Sequence, residues 1–332
     1  MLDPASLAAG PDGPMLMLIA LVLDAYIGDP PLIFRLLPHP LAIMRRVAEG
    51  LERRLDKARR NETTRRVRGV LAALFLLATG ALLGWLIDAL LARLPYGWIV
   101  EMLVVMTLVM QRGIYKGVDG VGEALKEGGI EAGRKAYGAI TKRGPGSLDA
   151  HGLARRAIES GAEGFADAVV GPTFWYLLAG LPGLIGYWAV KTLDNAIGTK
   201  APSTRAFGFG VGRCATSLSL IPAALAGLLL AVAAAFVPTA RPWTALRVML
   251  RDGPKHRSIV AGWADAAVAG GLGLALAGPR RYGEVVIRDP WLGDGRARAT
   301  PLDIRRAVYV VAVGCLINAG LVAGLAAARA TL

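Results

Sequence analysis

Apolar residues gather into long runs separated by shorter polar and basic stretches. Met15 to Leu23 is strongly apolar and reaches Ile27 only across Asp24. Gly69 to Leu91 is the clearest run of membrane length, and Trp98 to Met110 returns after the turn Arg93-Leu94-Pro95-Tyr96. Ala168 to Val190 is apolar but broken by Pro172 and Pro182, so it predicts either one crossing or a helix pair dipping in and out. Ser217 to Val237 carries Pro222, and Ile304 to Ala328 is the last run. Runs of about 18 residues or more predict spanning helices. The pattern therefore predicts an all-α fold, a polytopic integral membrane helical bundle with amphipathic cytoplasmic helices. Residues 1–332 are expected to form a single membrane domain.

The stretches between the runs sharpen this picture. Leu41 to Arg68 is basic and amphipathic. Gln111 to Ala166 is mixed in charge, and its EALKEGGIEAGRKAYGAITKR predicts two short helices about a Gly-Gly break, followed by a helix capped by Ser147 or Asp149. Pro238 to Pro301 forms a third soluble block; within it Ala261 to Ala277, rich in Gly and Ala, reads as a helix packed on other helices. Basic loops mark the cytoplasmic side, which places about 41–68, 111–166 and 238–301 inside and both termini outside. That count leaves Thr199 to Arg213, a glycine-rich polar stretch, on the outside despite Lys200, Arg205 and Arg213.

Composition agrees. The chain is 54% hydrophobic, and its formal charge of +13 sits mostly in the loops, as positive-inside topology requires. A basic face suits an anionic leaflet and phosphorylated substrates. Signatures of RNA binding and aromatic-basic interleaving are missing from the sequence, which sets nucleic acid aside. Cys214 and Cys315 are far apart, and His39, His151 and His256 are too scattered for a zinc motif. There is no GxxxxGK[ST], and GFGVGR (208–213) lacks the strand-loop-helix setting of a dinucleotide fingerprint.

The stretch that carries chemistry is AIESGAEGFADAVVGPTFWYLLAGLPGLIGYWAVKTLDNAIG, residues 157–198. Glu159, Glu163 and Asp167 recur every four residues, so a helix stacks them on one face at a cost of about a few tenths of a kcal/mol per like-charged pair. One reading is a solvated face leading into the membrane; the other is an acidic wall beside a metal-nucleotide or amine site. Upstream, the prolines of DAYIGDPPLIFRLLPHP shape a loop holding Asp24, Asp29 and His39.

This order of motifs resembles the CobD/CbiB family of adenosylcobinamide-phosphate synthases. The resemblance rests on LVLDAYIGDPP with PHP, the 157–198 stretch, IPAALAGLLL, the Lys255-His256 pair with AGWADAAVAGGLG, and DPWLGDGR, and it covers Leu21 to Leu316. It implies a multi-pass protein of a bacterial inner membrane. The implied reaction is ATP- and Mg2+-dependent joining of cobyric acid, a corrinoid, to aminopropanol or its O-phosphate. Partners besides membrane lipid would be those substrates and other membrane-bound corrinoid enzymes. By resemblance, Glu163, Asp167, Asp194 and His39 are the catalytic candidates, with Glu163 and Asp167 also the Mg2+ ligands. Asp24, Asp29, Lys191, Asn195, Lys255, His256 and Trp263 are the substrate-binding candidates.

The chain departs from the family pattern at three places. Gly164 stands where the family has Asn in Glu-Asn-Phe. Residues 213–224 lack the acidic pair, the Asn and the final Arg, and Ile259, Val260, Ala264 and Asp265 replace Pro, Asn, Pro and Glu. A second reading follows from these, a corrinoid-binding scaffold or sensor that has lost the chemistry. A third, a transporter, has little support because the halves do not repeat.

Overall fold

Helices of membrane length form where the apolar runs predict them, because a backbone in lipid must satisfy its own polar groups. The computed structural model describes residues 10–28, 38–56, 60–141, 148–197, 205–282 and 285–331. In chain order the helices are α1 (Gly13–Tyr26), α2 (Pro40–Leu55), α3 (Glu62–Leu91), α4 (Gly97–Leu108), α5 (Gln111–Ile140) and α6 (Ala150–Phe165). A π-helical turn, Ala166–Val170, follows, then α7 (Gly171–Ile197), α8 (Arg205–Ala233), α9 (Pro242–Asp252), α10 (Ile259–Leu272) and α11 (Pro301–Ala330). Five described helical stretches are long and apolar enough to cross a membrane. The predicted all-α membrane bundle is thus the observed class. It carries one addition, an antiparallel hairpin of β1 (Leu276–Tyr282) and β2 (Val285–Leu292).

The fold divides into two compact units. Unit 1 comprises Met1–Met110, Gly171–Ser219 and Val322–Leu332, and unit 2 comprises Gln111–Val170 and Leu220–Leu321.

Unit 1 is built on glycines that let backbones meet. A Cβ on Gly84 of α3 would lie 2.6 Å from the Leu181 carbonyl of α7, and one on Gly80 would lie 3.1 Å from Gly186, so the two helices run antiparallel. At the basic end of α3, a Cβ on Gly69 would fall 2.2 Å from the Phe207 carbonyl, and one on Gly210 would fall 2.1 Å from the Arg66 carbonyl. The start of α8 therefore lies beside the start of α3, next to Arg65, Arg66 and Arg68. This corrects the expected topology: α7 returns to the arginine-rich side, and the described part of the 199–213 stretch, residues 205–213, belongs to that side, not the opposite one. It also corrects the expected polar stretch, because α8 is already helical from Arg205. The positive-inside conflict disappears for Arg205 and Arg213; Lys200 lies outside the described residues.

Helix α2 lies across this basic end. Its Ala48 is buried in a cluster with Leu193, Ile197, Phe207 and Val211, while Arg65 closes on Asp56 through two hydrogen bonds of 2.6 and 3.1 Å. The membrane-length helix α3 begins at Glu62, so the expected basic segment 41–68 contributes its last arginines to that helix.

In unit 2, the Gly-Gly break appears at Gly129 (φ 71), inside a longer α5 than the pattern suggested. Asp149 caps α6 by accepting from the Gly152 N–H at 2.7 Å. Helix α10 is buried along most of its length, as its small residues predict, and stops at Gly273 in a left-handed C-cap. The expected continuation to Ala277 is instead the entry to β1.

Candidate functional site

The acidic stack on α6 separates into two kinds of carboxylate. Glu159 is 1% exposed, accepts from Arg156 Nη1 at 2.7 Å, and accepts the Ala277 backbone N–H at 2.8 Å. Ala277 holds a positive φ of 57° at the start of β1, so Glu159 anchors a strained strand entry. Glu163 and Asp167 are half-buried and follow at the next two turns. Asp167 sits inside the π-turn, whose extra residue per turn widens the helix there. Such turns are frequent at functional sites. Gly164, between the two carboxylates, faces α5 so closely that a Cβ would lie 3.1–3.3 Å from three carbons of Ile114. The space for a longer side chain is taken by Ile114.

A second polar cluster forms where α9 meets the hairpin. Asp252 is buried and accepts from Arg251 Nε (2.9 Å) and Nη2 (2.6 Å), from Lys255 Nζ (2.8 Å) and from the Gly293 N–H (3.0 Å). Burial opposes its ionisation, but these donors outweigh burial and hold the carboxyl well below the usual carboxylate range. Arg251 spans to Asp294 at 2.6 Å and is held above its ordinary value by hydrogen bonds to Asp252 and Asp294. Lys255, a substrate-binding candidate by resemblance, is thus paired with Asp252 while remaining about half exposed. His256 Nδ1 lies 2.9 Å from the Ser258 carbonyl. Its Nε2 is buried without a hydrogen-bond partner among the described residues. Trp263 packs on the turn itself, since a Cβ on Gly253 would lie 2.5 Å from its ring.

The DPWLGDGR motif closes this corner. Trp291 lies under the Arg155 guanidinium at 5.5 Å and against Gly278. Gly293 and Asp294 meet Asp252 and Arg251, and Arg296 pairs with Asp303 at the start of α11. Arg155 donates to the Ala297 carbonyl, and His151 Nδ1 lies 2.9 Å from the Ala299 carbonyl. Arg155, Arg156, Arg251, Asp252 and Asp303 carry this arrangement, and none was singled out from the sequence. Only their spacing on amphipathic helices hinted at pairing.

The remaining described candidates all belong to unit 1. Lys191 is buried, Asp194 half-buried and Asn195 exposed, all in the last turns of α7 at the basic end. A Cβ on Gly212 of α8 would lie 3.4 Å from Asp194 Oδ1. Asp24 is 2% exposed in the last turn of α1. His39 caps α2, its Nδ1 accepting from the Leu41 N–H at 3.2 Å. Asp29 lies outside the described residues.

Among the described residues, no three His, Cys, Asp or Glu side chains converge as a metal-binding set. Mg2+ commonly takes one or two carboxylates and completes its shell with water and substrate phosphate, so the donor chemistry of Glu163 and Asp167 is compatible with it.

The sequence matches the family described as CobD/Cbib protein over residues 17–311. It is 39% identical over 316 residues to the cobalamin biosynthesis protein CobD of Sinorhizobium sp, covering 94% of this chain and 98% of that protein. Against the protein of the same name in Brucella suis biovar 1 (strain 1330), it is 38% identical over 295 residues, or 88% and 90% of the two chains. For that of Rhodobacter capsulatus the values are 36% over 316 residues, 93% and 97%. No solved structure matches. Matches at this identity run from α1 into α11, through the acidic helix, the π-turn and the DPWLGDGR corner, and the chain belongs to the CobD/Cbib family.

Proposed function

We propose that this protein acts in cobalamin biosynthesis as the ligase that joins cobyric acid to aminopropanol or its O-phosphate. With adenosylcobyric acid as the substrate, the product is adenosylcobinamide or its phosphate. Family membership supports the pathway, and the observation that carries the site is the π-turn presenting Asp167 one turn beyond Glu163. A carboxylate resists attack by an amine, so the cobyric acid oxygen first attacks the γ-phosphorus of ATP, releasing ADP and forming an acyl phosphate. The amine nitrogen then attacks the acyl carbon, the C–N bond forms, phosphate leaves, and nitrogen gives up a proton.

Glu163 and Asp167 are the groups proposed to hold Mg2+ and to receive that proton. Bound there, Mg2+ supplies positive charge to the transferring phosphoryl oxygens. Lys255 and His256 are proposed phosphate contacts, and Trp263 a ring-stacking surface. Asp24 and Asp29 are proposed to meet the amine, His39 a phosphate or a proton in transfer. Asp194, Lys191 and Asn195 are proposed as substrate-positioning groups at the end of α7.

The test is a ligation assay in detergent with adenosylcobyric acid, aminopropanol phosphate and Mg-ATP, read by mass spectrometry. Product is expected from the native chain, with a loss of about 100-fold or more in Asp167→Asn, as for removal of a general base. Absence of product from a native chain that still binds corrinoid would overturn the ligase and leave the scaffold reading.

A further inference from the structure

Unit 1 contains a cleft at the end remote from Arg65, Arg66 and Arg68. It encloses about 310 Å3 and is lined by Asp88, Glu101, Tyr176, Gly180 and Arg329 among apolar neighbours that include Leu16. The Tyr176 hydroxyl donates to Glu101 Oε1 at 2.7 Å. Helix α7 is interrupted beside it, with Ala179 at φ −142° and Gly180 at φ 61°. A break in a spanning helix is tolerated where the freed backbone lines a cavity, and carboxylates on membrane-length helices commonly mark a ligand or ion site. Leu325, one turn before Arg329 and on the same face of α11, is 41% exposed. The rim of the cleft is therefore continuous with an apolar face of a membrane-length helix.

We propose that this cleft binds the headgroup of an ethanolamine phospholipid in the leaflet opposite the arginine-rich side. The lining has both signs of charge. Asp88 and Glu101 suit the ammonium, and Arg329 suits the phosphate. An anionic headgroup without an amine would meet two carboxylates, and a simple cation would leave Arg329 unused. The volume lies at the low end for small-ligand clefts, which admits a headgroup while the acyl chains run along α11 past Leu325. Neither the acidic turn of α6 nor the α9 corner takes part, so the inference stands apart from the proposed ligation.

The experiment uses the full chain, delipidated in detergent and followed by thermal unfolding. Phosphatidylethanolamine is expected to raise the melting temperature, and phosphatidylglycerol is expected to leave it unchanged. The increment should vanish in Glu101→Gln and shrink in Arg329→Gln, an exposed rim position whose change spares the core. Equal shifts from both lipids, or an undiminished shift in both variants, would overturn the site. Free phosphoethanolamine reproducing the whole shift would overturn the lipid as occupant.

Discussion

The α3–α7–α8 crossing of unit 1 and the α6–α9–hairpin corner of unit 2 are both tightly packed, but by opposite means. At the crossing, glycines bring backbones together: Gly69 meets Phe207, Gly84 meets Leu181, and Gly210 meets Arg66. Without a hydrophobic driving force between helices in lipid, such close approach is what holds them. At the corner, buried carboxylates hold backbone and guanidinium groups: Glu159 on Arg156 and Ala277, Asp252 on Arg251, Lys255 and Gly293. The contrast teaches where each unit is vulnerable. Added bulk should break the first, whereas a lost charge or acid should break the second.

The largest effect is expected at Glu159. Changing Glu159→Ala leaves the Arg156 guanidinium, itself 9% exposed, with its buried partner removed, and it takes away the acceptor of the Ala277 N–H. Breaking a buried pair costs about 3–5 kcal/mol, so thermal unfolding in detergent should show a severe loss. An unfolding profile equal to the native one would remove the corner's ionic basis. Next comes Gly210→Val. A Cβ placed 2.1 Å from a backbone oxygen cannot be relieved by rotating a side chain, and overpacking of this kind costs about 3 kcal/mol. Helix α8 should separate from α3, and a cysteine cross-link between their starts should form more slowly. Unchanged cross-linking would show that the crossing has slack.

How much of this was legible follows from the same contrast. The crossing helices were readable because lipid demands long apolar runs, and α3 and α11 lie where hydropathy places them. The start of α8 was not readable. Its Gly208, Gly210 and Gly212 look like a loop in one dimension, and only the helix they press against explains them. The acidic stack was visible as a pattern, but which carboxylate serves structure was not. Glu159 is distinguished from Glu163 by Ala277, more than a hundred residues away. The π-turn leaves no signal in the periodicity around Asp167. DPWLGDGR was recognisable as a motif, yet its work as a clasp on Asp252 and Arg251 depends on a hairpin that apolar patterning did not predict.

The smallest expected effect is also the one that separates the two regions most cleanly, because it is a dependence on pH. Asp252 ionises more readily folded than unfolded, since its donors stabilise the carboxylate. A lowered folded-state value contributes stability that is complete above about pH 5 and is lost progressively as pH falls through the unfolded carboxyl value near 4 toward the lower folded one. Asp252→Asn should remove about 2 kcal/mol at neutral pH, the partners Arg251 and Lys255 being partly screened by water. It should also flatten the decline in melting temperature between about pH 5 and pH 3. Gly210→Val, by contrast, should lower the whole curve without changing its slope, because no titrating group is touched. If Asp252→Asn shifted the curve while leaving its acid limb as steep as before, the acid sensitivity would belong to other carboxylates. The corner would then be held by its packing, as the crossing is.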